Sequence, residues 1–81
     1  MMSWNYAKLR GRIKEKCGTQ DEFALRIGMG RVSLSQRLNN MLEFSQDEIM
    51  KSCEVLEIDQ SEIPVYFFNL EVEKAKRMEE K

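Results

Sequence analysis

Histidine is absent from these 81 residues, and with it the commonest general acid/base and metal-ligating side chain. Two cysteines, Cys17 and Cys53, remain as the only soft ligands and stand far apart in the chain, so neither zinc nor hydrolytic chemistry is expected. No apolar run approaches the roughly 20 residues that cross a bilayer. No basic segment followed by an apolar stretch marks a secretory signal. The expectation is a soluble, cytoplasmic chain, not an enzyme, with reduced cysteines, no disulfide framework and no membrane, cofactor or small-molecule partner. Low-complexity segments, internal repeats and linkers are also missing. With 42% hydrophobic and 33% charged residues the chain is too apolar for disorder, and 81 residues suit one compact domain.

The formal charge of −1 hides an asymmetry. Up to Asn40 there are eight basic and three acidic residues; from Met41 onward there are five basic and eleven acidic. A polyanion would meet the first half and be repelled by the second, so nucleic acid is not excluded by the low overall charge. The plainer alternative is a solvated charged surface.

Four helices and a short fifth can be read from periodicity and punctuation. The first spans about Tyr6 to Lys16, with Ser3 or Asn5 as N-cap and Gly18 as its stop; Tyr6, Leu9, Ile13 and Cys17 form one apolar stripe. Thr19-Gln20-Asp21-Glu22 is a capping box that opens a second helix carrying Phe23, Ala24 and Ile27 inward and ending at Gly28. Only Met29 and Gly30 separate it from a third, Arg31 to about Asn40, with Leu34 and Leu38 at core spacing; so short a turn makes the two cross, as in a helix-turn-helix. Ser45-Gln46-Asp47-Glu48 is a second capping box, heading a helix to about Leu56 with Ile49, Cys53 and Leu56 inward. Asp59 or Ser61 can cap a short fifth helix, with Pro64 in its first turn and Tyr66-Phe67-Phe68 at its end. From Asn69 to Lys81 the pattern is open: Leu70 and Val72 alternate as in a strand, whereas Val72, Ala75 and Met78 lie three apart as on a helix. Trp4, ahead of the first helix, is either a core lid or a partner contact.

Gln20-x-x-x-Ala24-x-x-x-Gly28-Met29, followed by Leu34 and Asn39, resembles the helix-turn-helix of the phage Cro and repressor proteins and their bacterial relatives. The ending Glu62-Ile63-Pro64-x-Tyr66-Phe67-Phe68 resembles the small Cro-like regulators of phages and prophages of Gram-positive bacteria. The resemblance covers about residues 6 to 68. It implies an all-α, compact four- to five-helix bundle over residues 1–68, with Gly28 as the turn, and a tail, 69–81, of open structure. It also implies a sequence-specific regulator that binds an operator in double-stranded DNA. The alternative is a protein-interaction module on the same fold, an antirepressor or antitoxin component. Two positions depart from the family pattern. Arg37 stands where a second apolar anchor is usual, and Gly30 where the N-cap is usually Ser or Thr.

On a helical wheel at 100° per residue, Leu34 and Leu38 point inward and Gln36 lies at the centre of the opposite face, flanked by Val32, Ser33 and Asn39, with Arg37 on the border. In a major groove Gln36 suits adenine, Val32 a thymine methyl, and Arg31 guanine or phosphate. The family implies a phosphate contact for Gln20, while Asn39 either touches phosphate or helps end the helix. The candidate DNA-binding set is Gln20, Arg31, Val32, Ser33, Gln36, Arg37 and Asn39. A homodimer is expected, because tight operator binding generally needs two half-sites. The apolar crowd after the fourth helix nominates Phe68, Leu70 and Val72 for that contact, although the aromatics can also close the monomer's own core.

Overall fold

The computed structural model of the chain describes residues 3–70. Among these, five α-helices follow one another: α1 Ala7–Cys17, α2 Gln20–Arg26, α3 Arg31–Leu38, α4 Gln46–Leu56 and α5 Ile63–Phe67, the last entered through a 3-10 turn at Gln60–Glu62. The all-α expectation holds in its five-helix form, with α3 ending at Leu38 rather than near Asn40.

None of these helices is long enough to persist in water alone, so each depends on its apolar stripe reaching a shared core. Tyr6, Leu9 and Ile13 beside and on α1, Phe23, Ala24 and Ile27 at α2, Leu34 and Leu38 on α3, Ile49, Cys53 and Leu56 on α4, then Ile58 and Phe67, are all buried. Burial also pushes the Cys53 thiol up from its ordinary pKa, consistent with a packing role. Periodicity alone misses Phe44, which lies in the loop before α4. Its ring stands edge-on to Tyr6 and Phe67 at centroid distances of 5.7 and 5.3 Å. Such pairs contribute about 0.5–1.5 kcal/mol each beyond area burial. Ser52 is fully buried as well, its hydroxyl satisfied by donating to the Glu48 carbonyl at 2.7 Å.

The Ser45 capping box is complete: its hydroxyl accepts from the Glu48 N–H at 3.1 Å and the Glu48 carboxylate accepts from the Ser45 N–H at 2.8 Å. At Thr19 only half forms. The hydroxyl accepts from the Glu22 N–H at 3.1 Å, but the Glu22 carboxylate turns to Arg26, one helical turn on, at 3.0 Å. Ahead of α1 the N-cap position falls on Tyr6, while the Asn5 carboxamide still accepts from the Ala7 N–H at 2.9 Å.

The first four helices all give way to a residue at positive φ: Gly18, Gly28, Asn40 and Glu57. After α2, the Gly28 N–H donates to Leu25 O at 3.1 Å and the Met29 N–H to Ala24 O at 2.8 Å, the paired bonds of a Schellman turn. After α3, Asn40 and Met41 repeat it on Arg37 O and Gln36 O at 3.1 and 2.8 Å. The Asn40 side chain then clasps the Trp4 peptide from both sides, accepting its N–H at 2.7 Å and donating to its carbonyl at 3.0 Å. Trp4 forms an antiparallel bridge with Leu70, and its ring meets Phe68 edge-on at 5.7 Å. Of the two roles open to Trp4, it takes that of a lid. Val72 and the rest of the stretch to Lys81, for which the pattern leaves strand and helix both open, lie outside the described residues.

Gly28 has φ 72° and nothing within 4 Å of where a Cβ would stand, so a larger residue there meets backbone strain rather than a clash. Gly28→Val is expected to cost at least about 1 kcal/mol and to lower the melting temperature by several degrees, read by thermal denaturation. An unchanged melting temperature would show that the turn does not depend on glycine.

Candidate nucleic-acid interface

The α2–α3 turn fixes how α3 is presented. Gly30 enters the helix in extended backbone, with no side-chain bond to the first turn. Arg31 follows with its side chain 75% exposed, its guanidinium 3.2 Å from the Asp21 carboxylate in the first turn of α2. An ion pair this open is worth about 0–1 kcal/mol, so it leaves Arg31 free to exchange partners. Val32 is 71% exposed and Asn39 is exposed, whereas Ser33 and Gln36 are half-buried. The open sector of α3 therefore centres on Arg31, Val32 and Asn39, with Gln36 at its edge. The chain leaving α3 folds back, and the N–H groups of Met41 and Leu42 both donate to the Gln36 carbonyl, at 2.8 and 3.3 Å.

Arg37 faces away from this sector. It donates from Nε and one terminal nitrogen to the two Glu48 carboxylate oxygens at 3.0 and 3.3 Å, and from the other to the Ser33 carbonyl at 2.9 Å. Its side chain is only 17% exposed. A two-pronged ion pair between α3 and α4 thus stands where the resembling family has an apolar anchor. Glu48 serves two helices at once. Burial pushes its carboxyl up, but the Ser45 N–H and the Arg37 guanidinium outweigh burial and hold it below its ordinary value.

Two arginines of α1 also reach helix ends. Arg10 donates to the Gln20 carboxamide oxygen at 3.1 Å, to the Leu38 carbonyl at 3.1 Å and to the Asn39 carboxamide oxygen at 3.2 Å. Arg12 donates to the carbonyls of Leu56 and Glu57 at 2.9 and 3.0 Å, satisfying the C-terminal end of α4. The basic run of the first helix is therefore not a uniformly solvated face. Nothing in the sequence pattern marks these roles of Arg10 and Arg12, because the helix-end carbonyls they satisfy lie 28 to 45 positions away. A shallow depression of about 170 Å³, lined by Arg10, Lys14, Thr19 and Gln20 among others, opens beside these contacts.

Elsewhere, Phe68 and Leu70 are about half exposed. Phe68 helps line an apolar groove of about 280 Å³ with Gln46, Ile49, Met50 and Ile63. Val72, the third residue nominated for self-association, lies outside the described residues. Among the described residues no helix is long and apolar enough to cross a membrane, and no three His, Cys, Asp or Glu side chains converge as a metal site.

A family described as a protein of unknown function, DUF739, matches residues 2–70. The chain belongs to the DUF739 family. The DUF739 chain is similar to the solution structure of the modulator of repression (MOR) of the temperate bacteriophage TP901-1 from Lactococcus lactis. The two share 45% sequence identity with a TM-score of 0.74, over 83% of this chain and 90% of that one. Comparison with curated proteins finds no match. The expected kinship with small phage regulators therefore holds at the level of a phage regulatory relative.

The Glu48 carboxyl yields a pH prediction. Its folded pKa lies below the unfolded value, so its contribution to stability is complete above about pH 4.3 and is lost as pH falls through the lower folded value. Glu48→Gln keeps the size of the side chain but removes the charge. It is expected to lower the melting temperature at pH 7 and to flatten the loss of stability on acidification below about pH 4.3. A variant that melts in parallel with the parent across that range would mean that the α3–α4 ion pair contributes nothing.

Proposed function

We propose that this chain is a transcriptional regulator of the phage type that lays α3 in the major groove of an operator as a homodimer, acting in the cytoplasm without enzymatic activity or cofactor. The observation that carries this reading is the open sector of α3. Arg31, Val32 and Asn39 project from it, Ser33 and Gln36 flank it, and Gln20 heads the helix that crosses it. Arg31 is free to reach guanine or phosphate, Val32 offers an apolar surface to a thymine methyl, and the Gln36 carboxamide suits adenine. Gln20 and Asn39, near the two ends of the unit in sequence, meet on the Arg10 guanidinium, and from there both would donate to backbone phosphate. Arg37, its donors turned to Glu48, supports this arrangement by holding α3 against α4 rather than by reading bases. Regulation then follows from occupancy: a bound dimer excludes or recruits polymerase according to where its operator lies.

A second reading has its own support. The TP901-1 relative is called a modulator of repression, which suits a protein that acts on a repressor as well as one that is a repressor. Here, too, Asp21 and Glu48 set carboxylates against two of the candidate DNA-contacting arginines. On that reading the same fold is a protein-interaction module, an antirepressor or antitoxin component.

Titration of DNA selected from a random-sequence pool, repeated at several salt concentrations, separates the two. With about four phosphates per subunit, a dimer should lose affinity with a log–log salt slope near −7. Gln36→Ala should cost about 1–3 kcal/mol on the selected sequence and little on random DNA. A slope shallower than about −2, or a pool that yields no preferred sequence, would favour the protein-interaction reading.

The homodimer is assigned to Phe68, Leu70 and Val72. Its support is the exposure of Phe68 and Leu70, with Phe68 lining an apolar groove beside Met50 and Ile63. Phe68→Ser is expected to shift sedimentation equilibrium toward monomer by about tenfold in Kd, in keeping with the loss of one large apolar contact. An unchanged association constant would move the interface elsewhere.

A further inference from the structure

We infer that Arg10 is the positioning residue of the DNA-reading unit. Its guanidinium turns the carboxamides of Gln20 and Asn39 so that both present N–H groups outward, and it holds the head of α2 and the tail of α3 at a set separation. The inference rests on the DNA-binding reading. Its basis is three contacts made by one side chain: the Gln20 carboxamide oxygen at 3.1 Å, the Leu38 carbonyl at 3.1 Å and the Asn39 carboxamide oxygen at 3.2 Å.

A primary carboxamide has an acceptor face and a donor face, and phosphate accepts hydrogen bonds only from the donor face. Turned by 180°, the same side chain would oppose its oxygen to the phosphate oxygens. The guanidinium has donors and no acceptor, so it can bind only the amide oxygens, which leaves the NH2 groups directed away from it. At Gln20 that NH2 makes no protein hydrogen bond among the described residues, and at Asn39 it spends one donor on the Ser35 hydroxyl at 3.2 Å. The third contact, to the Leu38 carbonyl, occupies one of the unpaired acceptors at the C-terminal end of α3. Gln20 and Leu38 lie at opposite ends of the α2–α3 unit in sequence, and Arg10 touches both. A lysine at the same place keeps the charge but cannot hold three acceptors in a planar fork.

Arg10 therefore acts through Gln20 and Asn39, and Arg10→Lys isolates this role from its charge. In the parent background Arg10→Lys is expected to weaken binding to the selected DNA by about tenfold with the salt slope nearly unchanged. In a Gln20→Ala/Asn39→Ala background the same change should have little further effect, because the groups it positions are gone. If Arg10 bound phosphate directly, Arg10→Met in that double-variant background would still reduce the slope by about one unit, and Arg10→Lys in the parent would be nearly silent. Either result overturns the proposal. The free protein supplies a second readout. The side-chain NH2 groups of Gln20 and Asn39 should be ordered in NMR relaxation of the parent and mobile in Arg10→Lys, while backbone order is unchanged. Equal mobility in both proteins overturns the proposal even if DNA binding is intact. A parent chain that shows no salt-dependent DNA binding would sink the functional reading and this inference together, whereas additive effects of Arg10→Lys and Gln20→Ala/Asn39→Ala with binding intact would sink this inference alone.

Discussion

The left-handed turn at Gly28 is the constraint on which the rest of the molecule depends. The helices run from five to eleven residues, too short to persist except against one another, so the chain must turn sharply enough for successive apolar stripes to reach the same core. Between α2 and α3 only Ile27 to Gly30 are available. Gly28 supplies the positive φ, Met29 closes the Schellman turn and packs against the core, and Ile27 is buried. With α2 and α3 thereby packed on one another, Phe23, Ala24, Leu34 and Leu38 are closed inside, and Arg31 and Val32 are left outside. The exposed face of α3 is a consequence of how the inside is closed.

Arginine does for the helix ends what the left-handed residues do for the chain path. A helix leaves its last carbonyls without partners, and an arginine can satisfy several at once. Arg12 does so for α4 and Arg10 for α3; the acceptors of Arg10 are all neutral oxygens, so its positive charge is not cancelled there, whereas Arg12 also pairs with Glu15 at 3.4 Å. Arg26, Arg31 and Arg37 instead meet Glu22, Asp21 and Glu48. The electrostatic face offered to a polyanion is thus smaller than the count of basic residues suggests. It is weighted toward Arg10, Lys8 and Lys14 on α1, together with whatever Arg31 regains on leaving Asp21.

Much of this fold was legible in the residue pattern because it is written in local terms. The Ser45 box, the Gly18 and Gly28 stops and the apolar stripes of α1 to α4 all depend on neighbours within about one helical turn. What escaped depends on residues distant in the chain. Phe44 carries no periodicity, and its place beside Tyr6 and Phe67 exists only once α1 and α5 are packed. Arg37 reads as a border residue of α3 until Glu48, eleven positions on, is seen to face it. The second half of the Thr19 box failed because Arg26 competes for Glu22. On α3 the wheel gave the buried pair, Leu34 and Leu38, while Gln36, which it put at the centre of the opposite face, is half-buried and Val32 more open.

The two candidate surfaces differ in electrostatic character, and that difference bears on how they could work together. The pocket beside Phe68 is shared by Trp4, Phe44 and Phe67 with Glu43, whose charge, after burial, is the other cause raising the Tyr6 pKa. Asp47 and Glu62 adjoin, in sequence, the Gln46 and Ile63 that line the apolar groove. Two copies meeting through Phe68 would bring these carboxylates toward one another, so salt that screens their repulsion would favour association. At the α3 face the sign is reversed, because salt competes with every phosphate contact. On the DNA-binding reading, low salt would favour DNA binding while weakening self-association, and a DNA that held two copies side by side would offset the repulsion between their acidic halves. On that reading, self-association and DNA binding would thus respond to salt with opposite signs, and the two halves of the charge asymmetry would serve two different contacts.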